Sequence, residues 1–112
     1  MTKNKEFKKD ILKAYATLAT EYIEKIGDQQ WAFPDEKCGS DHILKILKKL
    51  SNGEDPEFEN SSIDKTSRLF GFIQGVLCAV GVLGVDSERD NTRPIFQGIY
   101  HKYKMAQKTV EI

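Results

Sequence analysis

Apolar residues recur at spacings of three and four from Lys5 to Ile26. Phe7, Ile11, Tyr15, Leu18, Tyr22 and Ile26 form the stripe, and Leu12, Ala19 and Ile23 widen it. That period predicts an amphipathic helix, closed by Gly27, which can take the left-handed conformation. Ile43, Leu44, Ile46, Leu47 and Leu50 repeat the pattern opposite Lys45, Lys48 and Lys49, with Ser40 as the expected N-cap. Between the two lies Trp31 to Gly39, a loop by its Pro and Gly that holds the single tryptophan and is expected to fold back onto the core. Ser51 to Pro56 breaks the second helix, and the acidic connector with Glu54, Asp55, Glu57 and Glu59 reads as a solvated turn.

Asn60, Ser61 and Ser62 offer caps for a third helix, with Asp64 in its favourable first turn. Leu69 to Val85 then carries no charge and is apolar on every side, as at the centre of a bundle or in a membrane span. Seventeen residues at 1.5 Å each reach about 25 Å, short of a hydrocarbon core of about 30 Å. Gln74 and four glycines, of which Gly81 and Gly84 are expected to end the helix, also weigh against a span. A buried helix wrapped by the others is therefore expected. Asp86 or Ser87 would cap the last segment. There Pro94 leaves two readings: a short helix ending at Thr92 before a new one, or one kinked helix. Ile95, Phe96, Ile99, Tyr100, Tyr103 and Met105 carry the stripe on, with Lys102, Lys104 and Lys108 near its end. The architecture is all-α: a compact bundle of four principal helices with a buried apolar third helix, in a single domain over 1–112.

Lys+Arg 17 against Asp+Glu 17 in 112 residues argues against a protein that holds duplex DNA through many phosphates. Two cysteines are too few for a secreted disulfide scaffold, and Met1 to Asp10 lacks the apolar stretch of a leader, so a reducing cytoplasm is expected. Cys38 with His42, and Cys78 with His101, are zinc-ligand types without paired spacing; no metal or cofactor is expected. No P-loop, Rossmann turn or catalytic triad is present, and no enzyme activity is expected.

Arginine is the informative residue. Among fourteen lysines the only arginines are Arg68, Arg89 and Arg93, which flank the apolar stretch. A guanidinium is a rigid fork that fits phosphate or carboxylate. Arg68, Arg89 and Arg93 are thus candidate ligand-binding residues, with Gln74 and Thr92 as polar contacts and Trp31 as a stacking surface. The competing reading pairs them with Asp64, Glu88 or Asp90 to fasten helix ends. Arg68 and Arg89 stand at opposite ends of the apolar stretch, which is about 25 Å long as a straight helix, so one small ligand reaches both only across an oligomer. Gly71-Phe-Ile-Gln-Gly75 marks either close internal helix packing or a self-association face, and Gln74 most simply bonds a neighbouring backbone.

Lys65-Thr-Ser-Arg-Leu-Phe-Gly-Phe-Ile-Gln-Gly75 and Val85-Asp-Ser-Glu-Arg-Asp-Asn-Thr-Arg-Pro-Ile-Phe96 resemble a pattern in small uncharacterised helical proteins encoded by tailed phages. The resemblance implies a phage or prophage origin and a location in the cytoplasm of the host bacterium. It carries no named chemistry. By analogy with small phage proteins that counter host defence, the expected function is non-catalytic sequestration of an anionic, nucleotide-derived signal by a homo-oligomer. The alternative is an inhibitor that binds a host defence or regulatory protein directly.

Overall fold

The computed structural model describes residues 2–53 and 55–103, with the side chains of 2–4 left aside. Glu54, Lys104, Met105 and Lys108 of the sequence reading fall outside these residues. Helix α1 spans Thr2–Ile26, α2 Ser40–Ser51, α3 Pro56–Glu59, α4 Ile63–Ala79 and α5 Val85–Lys102; a 3-10 turn at Glu36–Cys38 precedes α2. The fold is all-α, with α1, α2, α4 and α5 as principal helices. At 1.5 Å per residue α1 is about 37 Å long, nearly the full 42 Å length of the molecule.

The centre of the bundle is α1. It supplies Phe7, Ile11, Leu12, Tyr15, Leu18, Ala19, Tyr22 and Ile26 to the core. Helix α2 runs back along it, burying Ile43, Leu47 and Leu50, and Gly53 comes up against Ala16. Helix α5 also runs antiparallel: Glu88 meets Tyr22, the Phe96 ring lies 5.2 Å from that of Tyr15, and Tyr100 lies 5.4 Å from Phe7. Helix α4 runs in the same sense as α1, with Ser67 bonded to Tyr15 at 2.6 Å and Gln74 to Tyr22 at 3.0 Å.

The apolar third principal helix, α4, is buried along one side, not wrapped. Phe70, Ile73, Val76 and Leu77 face inward, whereas Gly71, Phe72, Gly75 and Ala79 face solvent. Three of those four outward residues are Gly or Ala, with little apolar area to gain from burial. The glycine pair does not pack internally either, for a methyl group added at Gly71 or Gly75 would meet nothing within 4 Å.

The helix also stops short of the apolar run. Gly81, at φ +83°, ends it: the Gly81 N–H donates to Cys78 O (3.2 Å) and the Val82 N–H to Leu77 O (2.9 Å), a Schellman arrangement that satisfies the last carbonyls.

Several caps differ from expectation. Gly39 takes the N-cap position of α2, and Ser40, the expected cap, is buried and spends its hydroxyl on Trp31. Gly84 is the N-cap of α5 in place of Asp86 or Ser87, and its backbone comes so near Ser87 that an added Cβ would stand 2.8 Å from Oγ. Ser62 caps α4 as expected, accepting from the Lys65 N–H at 3.1 Å. The acidic connector is more than a solvated turn: Asp55 caps the single turn α3, which buries Phe58 in the core. Helix α5 continues through Pro94, which settles the two readings of that segment in favour of one helix.

Candidate functional site

Arg68 is exposed on α4, and Arg89 and Arg93 are partly buried one turn apart on α5. Arg68 pairs with Asp64 one turn earlier at 2.7 Å, both side chains mostly in water. Arg89 approaches Asp86 at 3.9 Å, and Asp86 is 95% exposed. Such exposed pairs contribute under about 1 kcal/mol. Arg93 and Thr92 are half-buried on α5. Gln74 is half-buried on α4, and its amide donates to the Tyr22 hydroxyl, a side-chain partner where a backbone one was expected.

That bond belongs to a polar cluster inside the bundle. The Tyr22 hydroxyl donates to the Glu88 carboxylate, and Glu88, at 5% exposure, is the one buried residue of α5 among those described. Desolvation first, and then the adjacent carboxylate, push the Tyr22 phenol far above its ordinary value, so it stays protonated. Desolvation, with Glu88 nearby, also raises the Cys78 thiol. Glu88 stands in the first turn of α5, where an acid is expected, but its inward direction is a tertiary feature. The cluster ties α1, α4 and α5 together, and neither of the two depressions described below includes any of its members.

One depression, bounded by Leu12, Leu50, Gly53 and Phe58, has a free volume of only about 10 Å³, the size of a single water. The other, of about 460 Å³, opens between the Trp31 loop and the start of α2. Its volume lies within the range of small-ligand sites, about 300–1,000 Å³. Trp31, Phe33, Glu36, Asp41, His42 and Lys45 line it, with Ala32, Gly39 and Ser40.

Local chemistry explains why this wall is held in place. The indole N–H of Trp31 donates to Cys38 O at 2.8 Å. The Trp31 backbone is clasped by Ser40, whose Oγ accepts from the Trp31 N–H (3.2 Å) and donates to its carbonyl (3.1 Å). The Ser40 N–H donates to that same carbonyl at 3.1 Å. Gly39 permits the close approach, since a Cβ there would stand 3.2 Å from Glu36 O. Asp35 caps the intervening turn through the Lys37 N–H at 2.9 Å. Phe33, by contrast, is 43% exposed at the mouth.

Of the candidate residues read from sequence, Trp31 alone lines this depression; Arg68, Gln74, Arg89, Thr92 and Arg93 do not. Phe33, Glu36, Asp41 and Lys45 carried no binding role in that reading, and His42 figured there only as a zinc-ligand type beside Cys38. The usable signal was the Trp-Ala-Phe-Pro loop running straight into a helix that opens with Asp41 and His42. Among the described residues no group of three or more His, Cys, Asp or Glu could hold a metal ion, and no helix is long and apolar enough to cross a membrane. No protein-family model, curated protein or solved structure matches this chain.

Proposed function

We propose that this chain is a non-catalytic binding protein that holds a small, ring-bearing ligand with an anionic group in the Trp31 depression. The observation that carries the reading is an aromatic wall fixed before any ligand arrives: four hydrogen bonds at 2.8–3.2 Å hold the Trp31 ring and backbone beside a hollow of about 460 Å³. A wall already ordered spares the ligand the entropic cost of ordering it. Lys45 and His42, one turn apart on α2, supply the charge and the donors for the anion. The arginines are a weaker basis, because two of them pair with neighbouring acids and none borders the hollow.

The resemblance to tailed-phage proteins suggests a setting for such capture, the sequestration of a host-defence signal. A protein partner is the second reading, favoured by the exposed Phe33 ring at the mouth, since protruding aromatics beside a polar rim are common anchors of protein interfaces.

Trp31 is the sole tryptophan, so its emission reports on this site alone. Titration with nucleoside monophosphates, cyclic nucleotides, ADP-ribose and aromatic amino acids is expected to give a saturable change with at least one of them, weakened in Phe33→Ala. Unchanged emission across the whole panel, with the far-UV spectrum of folded helix, would refute small-ligand capture. A stoichiometric protein recovered from bacterial lysate and lost with Phe33→Ala would then favour the second reading.

A further inference from the structure

We infer that the ligand taken by this depression is a ring-bearing zwitterion, of the chemical class of an aromatic α-amino acid, and not a polyanion. The inference rests on the ligand seat proposed above and deepens it. Four ionisable side chains line the hollow: Lys45 and His42 on one sign, Glu36 and Asp41 on the other. None of the four takes part in an ion pair among the described residues, although Asp41 and Lys45 stand four apart on α2, the spacing at which such pairs form. The hollow is thus bordered by one lysine and two carboxylates.

These groups border one hollow, so a ligand seated there lies within about a screening length, roughly 8 Å at physiological salt, of several of them. A triphosphate or a cyclic dinucleotide would gain Lys45 and be repelled by both Glu36 and Asp41. A simple aromatic cation would gain the carboxylates and leave Lys45 opposed. A ligand with one carboxylate and one ammonium satisfies both signs: its carboxylate accepts from the Lys45 ammonium, and its own ammonium donates to Glu36 or Asp41. Its ring then lies against the immobilised Trp31 and the exposed Phe33, where aromatic contact adds to the apolar area buried. Each sign on the rim thereby has a counterpart, and neither is buried without one.

Four probes applied to the full chain, read by Trp31 emission, test this: phenylalanine, N-acetylphenylalanine, which lacks the ammonium, phenethylamine, which lacks the carboxylate, and ATP. Phenylalanine is expected to bind saturably and each single-charge analogue about tenfold more weakly, the equivalent of losing one charge-assisted contact. ATP is expected to bind more weakly than phenylalanine. Lys45→Gln, at an exposed position, should weaken phenylalanine by a similar factor and should not weaken phenethylamine, which loses a like charge from its surroundings.

Equal binding of phenylalanine and either analogue, or tighter binding of ATP, overturns the zwitterion inference while the ligand seat stands. So does silence with phenylalanine when a nucleotide alters the emission. Silence with every probe and with the wider panel removes both.

Discussion

Glu88, by sequence a first-turn acid or a partner for an arginine, is turned inward by the fold to Tyr22. A buried polar group left without its partner costs about 1–3 kcal/mol, and more when it is charged. Tyr22→Phe is therefore expected to destabilise by about 2–3 kcal/mol in urea unfolding, because it strands a buried carboxylate. Glu88→Gln, which keeps an acceptor for the phenol, should cost clearly less. Equal losses from the two would show that the bond is not what holds Glu88 inside.

The same residues set a pH dependence. Burial raises the phenols of Tyr15 and Tyr22 above their ordinary value near 10. The unfolded chain thus loses these protons at a lower pH than the folded one, and their contribution to stability, intact below about 10, declines as pH rises further. Asp10 behaves oppositely. Hydrogen bonds from Lys102 (2.9 Å) and Tyr103 (2.7 Å) hold its carboxyl below the usual range, so its contribution is present above about 4 and is lost on acidification. Unfolding midpoints between pH 7 and 11, followed with tyrosinate absorbance, should fall above pH 10, with Tyr15 and Tyr22 ionising at higher pH in the folded chain than in the unfolded one. Normal phenol titration in the folded state would contradict this.

At the scale of single helices, glycines with opposite roles separate backbone geometry from packing. Gly81 holds φ +83° in the turn that ends α4, a conformation costing an L side chain about 1–2 kcal/mol. Gly81→Ala should lower stability by that amount. Gly71 and Gly75 sit in ordinary helical conformation on the outward side of α4 with open space around them. Each is expected to gain about 0.5–1 kcal/mol on replacement by alanine, which has the higher helix propensity. Thermal melts of the three variants should shift in opposite directions. A loss of stability at Gly71 or Gly75 would indicate that another backbone approaches that face.

Much of this level was legible in the residues themselves. The period of α1, the Gly27 stop, the Ser62 cap and the α2 stripe are local signals that the structure repeats. Ser40 and Asp86 were less readable, because a capping residue is recognised by what its side chain bonds. In this fold the Ser40 hydroxyl is drawn to the Trp31 backbone instead.

Across the whole molecule the core is organised about α1, with α2, α4 and α5 laid on its sides. Leu18, fully buried at its middle, should cost about 2–5 kcal/mol as Leu18→Ala through lost burial and the cavity left behind. Phe72, 41% exposed on α4, should change stability by under about 0.5 kcal/mol as Phe72→Ala, despite lying in the most hydrophobic stretch of the chain. Chemical denaturation of both variants checks the assignment of the centre, and a large loss at Phe72 together with a small one at Leu18 would reverse it.

The candidate site was the least legible part. Arginine scarcity directs attention to Arg68, Arg89 and Arg93, but residues far apart in sequence make one site only when the fold converges on them. The depression is lined instead by residues 31–45, a local stretch of the chain that the arginine argument passed over.

By itself the sequence determined the four principal helical segments, where α1 stops, and that the class is all-α, because these follow from periodicity and turn chemistry within a few residues; it missed the single turn α3. Tertiary structure alone decided which helix lies at the centre and which way Glu88 points. Those outcomes depend on how much apolar area each face can remove from water when several helices compete for one core. The alternating stripe of α1, set with Leu, Ile and aromatic side chains, has more to bury than the glycine-bearing outer side of α4.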